Sequence, residues 1–143
     1  MRSIFIVLVL IAAAAAPSSE QVKSREVRVD KLLAAADSIA AEGNSLADLR
    51  FMMMPYFGEA ANMYYAAIVD VGFDSIRSAM RSLHEIKERV SVLSDSAFSV
   101  GLGRAAEELM VVHLVYRQTT DSIISDWREY LIRQKIARSI RDT

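Results

Sequence analysis

Between Ala105 and Tyr130 the apolar side chains Leu109, Val112, Tyr116, Ile123, Trp127 and Tyr130, with Thr119 among them, recur at steps of three and four residues. A strand would scatter such positions over both of its faces, whereas a helix brings them onto one. The steps hold for some 26 residues, so the spacing predicts one long helix. Residues 109–116 would pass locally as a strand, but the helical spacing on either side outweighs that. An apolar stripe of this length has to be covered, and other helices are the natural cover. Two prolines and five glycines among 143 residues, with plentiful Ala, Leu, Arg and Glu, support an all-helical chain.

The rest of the chain divides by the same criteria. Residues 20–42 predict a first helix on Val22, Val29, Leu32, Leu33, Ala36 and Ile39, with Arg25, Glu26 and Asp30 off that face. Gly43 is expected to end it. Asn44 or Ser45, with Asp48 three residues after the serine, would then cap a second helix. That helix holds the most apolar stretch, residues 49–73, in which Glu59, Asn62, Ala66 and Asp70 share one narrow edge. Pro55 predicts a kink or a fresh start there, and Gly72 a break. Phe73, Ile76, Met80, Leu83, Val90 and Leu93 predict a third, amphipathic helix whose outer side carries Arg77, Arg81, Glu85 and Arg89. Ser94-Asp95-Ser96 reads as a turn and cap signal, Gly101 and Gly103 weaken whatever follows it immediately, and the stripe of the long final helix begins at Ala105. The expected fold is all-α: an antiparallel bundle of about four helices, with a Pro-kinked apolar second helix and a long C-terminal one.

Residues 1–18 are set apart from this domain. Arg2 precedes an unbroken apolar run at 4–16, followed by small residues. That is the layout of a secretory signal peptide, and the run is too short to span a bilayer. The expected product is a secreted, extracellular domain of residues 19–143. It has no cysteine, so apolar packing must hold it together without disulfides. Setting Arg2 aside leaves 16 basic and 18 acidic residues, a balance that gives no footprint for nucleic acid.

No constellation supports catalysis. His84-Glu85 lacks the second histidine a zinc protease helix requires, and His113 stands alone in an apolar run. Glu107 and Glu108 are adjacent and point about 100° apart on a helix. No Gly-x-Ser-x-Gly or phosphate-binding glycine loop occurs, and neither a metal nor a cofactor is expected. Two features point to binding instead. Met53, Phe57, Met63 and Tyr64, with Glu59 and Asn62 beside them, have the polarizable and aromatic character that suits an apolar small-molecule cavity inside the bundle. The C-terminal residues 128–143 hold five basic and two acidic side chains. Trp127 and Tyr130 stand at the start of this segment, and Ile132, Ile136 and Ile140 lie on nearly the opposite face. Two readings follow. The first is a secreted, non-enzymatic binding protein carrying an apolar ligand. The alternative is an extracellular interaction or structural protein acting through its last helix, by self-association, on a partner protein or on a membrane surface, the last being the less favoured.

Overall fold

The computed structural model describes residues 17–142, so the expected signal peptide falls almost wholly outside the described residues. Three α-helices account for nearly all of them: α1 (Ser19–Met53), α2 (Glu59–Glu88) and α3 (Asp95–Arg141). A short 3-10 turn, Met54–Tyr56, joins α1 to α2. Each helix touches both others, and α2 runs antiparallel to its two neighbours.

Each helix carries one seam of inward positions. On α1 it is Arg25, Val29, Leu32, Ala36, Ile39, Gly43 and Leu46; on α2 it is Tyr65, Val69, Gly72, Ile76, Ala79, Leu83 and Ile86, continued by Val90 in the turn that follows. On α3 it is Phe98, Leu102, Ala105, Leu109, Val112, Tyr116, Thr119 and Ile123. The steps alternate four and three without interruption. A seven-residue repeat spans slightly less than two full turns, so three such helices wrap around one another as a coiled coil. The expected all-α bundle and its long final helix are therefore present, with three helices rather than about four.

The reduction has a definite cause. Gly43 and Gly72, expected as stops, lie in mid-helix, and no described glycine adopts a positive φ. They are there for their size. The Tyr116 ring, 1% exposed, fills the middle of the bundle between them, and its hydroxyl donates to the Val69 carbonyl at 3.2 Å. A methyl group at Gly43 would come within 2.8 Å of that ring, and one at Gly72 would collide with it more severely. The predicted first helix therefore continues to Met53, and the predicted second and third are largely one helix, α2. Pro55 ends α1 instead of kinking a helix, because it has no amide hydrogen and its ring crowds the preceding turn. Ser45 and Asp48 lie inside α1 and cap nothing.

The helix starts follow local chemistry. Ser18 and Gln21 form a reciprocal capping box before α1, and the Ser94 hydroxyl caps α3 by accepting from the Ala97 amide. At the α2–α3 turn one buried cation does the capping. Arg25 is on the inward seam and 4% exposed, not off the apolar face as the sequence suggested. Its guanidinium donates to the Val90 and Leu93 carbonyls at 2.9 and 2.7 Å and pairs with Asp95. It also lies 4.9 Å from the centre of the Phe98 ring.

Candidate functional site

The side chains singled out from the sequence converge on one end of the bundle, where α1 turns into α2 and α3 leaves. Asn62 organises the turn. Its amide donates to the Met54 and Phe57 carbonyls at 3.0 and 3.1 Å, groups that the end of α1 would otherwise leave unpaired. Its Oδ1 atom is buried without a partner. Glu59 is exposed in the first turn of α2. Met53 and Phe57 are half-buried against the core, whereas Met63 and Tyr64 point outward. The four apolar residues therefore do not surround a common space.

Aromatic rings close this end. Tyr56 meets Trp127 edge-on at 4.7 Å and Tyr130 at 5.4 Å, while Trp127 and Tyr130 stack 5.5 Å apart. Tyr65 lies deeper, beside Phe57 and Tyr64. Its hydroxyl donates to Asp126 Oδ2 at 2.6 Å. Burial, together with the hydrogen bond and charge of Asp126, pushes the Tyr65 phenol up to about 12. Burial, with a smaller contribution from the Asp70 charge, does the same to Tyr116, also to about 12.

Beyond Tyr130 the character of α3 changes. The inward seam continues through Arg133 and Ala137, neither of which can sustain a core, and every residue at 131–142 is exposed. Ile132 and Ile136 are 60% and 54% exposed, and Leu131 and Ile140 also face outward. Trp127 and Tyr130 thus belong to the bundle's end, and the three isoleucines to a projecting segment of about 15 Å.

The groove between α2 and α3 has two parts. Near the aromatic end it offers about 270 Å³, lined almost entirely by apolar side chains including Tyr64, Ile68, Val71, Val111 and Val115. Towards the opposite end it is polar, with Glu85, Arg89, Arg104 and Glu108 along its walls. The apolar part is not legible in the sequence, because its lining comes from the outer flanks of two helices whose adjacency only the fold establishes.

The remaining candidates lie elsewhere. His84 is exposed on α2. His113 bridges α3 to α1 through Glu42 at 2.7 Å. Among the described residues no three His, Asp or Glu side chains gather as metal ligands, and no helix is long and apolar enough to cross a membrane. Comparisons with protein-family models, with curated proteins and with solved structures find no match.

Proposed function

We propose that this protein is an exported, non-enzymatic interaction protein in which the three-helix body is a mount and the end of α3 is the docking element. The observation that carries this reading is the exposure of Leu131, Ile132 and Ile136 on a segment that has left the bundle. Apolar side chains grouped in this way on a projecting helix usually mark a contact surface, and a helix laid into an apolar groove is a recurrent mode of recognition. The test is site-specific photo-cross-linking in the cells the protein comes from. A cross-linking side chain at position 136 should capture a macromolecule, and one at exposed position 81 should not. Capture from neither 132 nor 136 would overturn the reading.

A second reading rests on the apolar groove between α2 and α3. An apolar small molecule seated against Ile68, Val71 and Val115 would make the protein a carrier. Native mass spectrometry of the secreted chain, purified without detergent, addresses it: a bound mass of a few hundred daltons, lost on denaturation, is its expected signature.

A further inference from the structure

We propose that the end of α3 beyond Tyr130 lies in the apolar part of the α2–α3 groove of a second copy of this chain, each copy lending its helix end to the other. The inference builds on the docking role given above to the end of α3, and it names the partner and the seat.

Shape is the first argument. The apolar groove follows 64–75 of α2, eleven residue steps or about 16 Å, and the projecting segment 131–141 is ten steps, about 15 Å. The segment cannot reach the groove of its own molecule, because α3 is one continuous helix running away from it to Arg141. A copy turned end for end can reach it. The Tyr65–Asp126 bond and the Tyr116–Gly72 contact place the groove alongside the part of α3 just before the aromatic end. If two α3 helices cross near Trp127 of each, residues 131–141 of one lie opposite about 113–123 of the other at the same rise per residue. This is a closed, self-complementary arrangement, and it would give each groove a fourth helix without leaving a free end to propagate.

Charge is the second argument. Residues 128–143 carry five basic and two acidic side chains, whereas 19–127 carry 11 basic and 16 acidic. Across 59–75 and 107–126 the two helices carry seven carboxylates (Glu59, Asp70, Asp74, Glu107, Glu108, Asp121 and Asp126) and one guanidinium, Arg117; of these Glu108 lines the polar continuation of the groove, whereas Asp121 lies on the side towards α1. A basic helix bearing Ile132 and Ile136 is therefore matched in polarity to the apolar groove and in sign to the acidic body that carries it. The net negative charge of that body would repel an anionic lipid surface, which makes a second copy the better-matched partner for the basic segment.

The absence of cysteine permits a clean test. Val71→Cys and Ile136→Cys variants of the full secreted chain, mixed and oxidised, should form a disulfide-linked dimer. Val92→Cys, at an exposed site near the other end, should link to Ile136→Cys at least tenfold less. Sedimentation of the unmodified chain should show a dimer that weakens with added salt. Ile132→Ser/Ile136→Ser should raise its dissociation constant about 100-fold or more with an unchanged circular dichroism spectrum. A monomer at every concentration up to the millimolar range would overturn the proposal. So would a dimer in which Val71 and Val92 link equally to Ile136, or monomers that bind anionic vesicles in preference to one another. Capture of a different macromolecule from position 136 in cells, without the Val71–Ile136 link, would overturn this proposal and leave the docking role of α3 standing. Capture of nothing at all would remove both.

Discussion

At the scale of single residues, the fold depends on a few side chains doing what their type rarely does. Tyr116 is the largest, occupying space that Gly43 and Gly72 leave open. Gly72→Ala should lower stability by about 2 kcal/mol in urea denaturation, although alanine alone favours a helix by about 1 kcal/mol. Adding Tyr116→Leu should recover part of that loss, since the ring is what the methyl group strikes. Arg25 is the second case. Arg25→Ala leaves the Val90 and Leu93 carbonyls without their donor and should cost about 3 kcal/mol. Amide exchange at residues 86–93 should accelerate with it. Tyr65 and Tyr116 set the alkaline limit. Their phenols ionise near 12 in the folded chain and near 10 once unfolded. The folded state therefore holds these protons where the unfolded chain has released them. Stability is intact below about pH 10 and falls as pH rises towards 12, by about 2 kcal/mol for each residue. Absorbance at 295 nm should show two tyrosines ionising only near pH 12, and one fewer in Tyr116→Phe.

At the scale of elements, the end of α3 is two segments in one helix. Trp127 and Tyr130 close the bundle against Tyr56, and residues beyond them contribute nothing to its core. A chain ending after Tyr130, measured at dilutions where it is monomeric, should unfold within about 0.5 kcal/mol of the full chain. One ending after Asp126 should lose about 2 kcal/mol, because both rings go with it. Much of this was legible in advance. The steps from Leu109 to Tyr130 and from Phe73 to Leu93 specify helices and their inner faces, and Ser94 is legible as a cap. Gly101 and Gly103, however, argue for a long helix beginning only near Ala105, whereas α3 runs through both. What misled were the glycines. As local signals Gly43 and Gly72 read as stops, and only the presence of Tyr116 opposite them gives the competing reason for a glycine inside a helix. Arg25 was misplaced for a similar reason. A cation on an apolar seam is read as surface until the carbonyls it reaches, 65 and 68 residues away, are brought to it. The candidate site was legible as a pair of apolar clusters, but not as a surface. Nothing in the chain tells that Met63 and Tyr64 face outward while Met53 and Phe57 turn in.

At the scale of the whole molecule, a uniform seven-residue repeat carries an inherent ambiguity. Three helices with such a repeat can slide past one another by one heptad and still face apolar against apolar. The layer of Gly43, Gly72 and Tyr116 removes that freedom. Sliding α2 by seven residues either way would set Ala79 or Tyr65 against the ring in place of Gly72; sliding α1 would set Ala36 or Arg50 there in place of Gly43. Even a single methyl at either glycine is too much. Tyr116 therefore works as an indexing pin, and the bundle has one alignment in which the pin fits. That alignment decides how far α3 extends past its neighbours, and so the length of helix the molecule holds out to a partner.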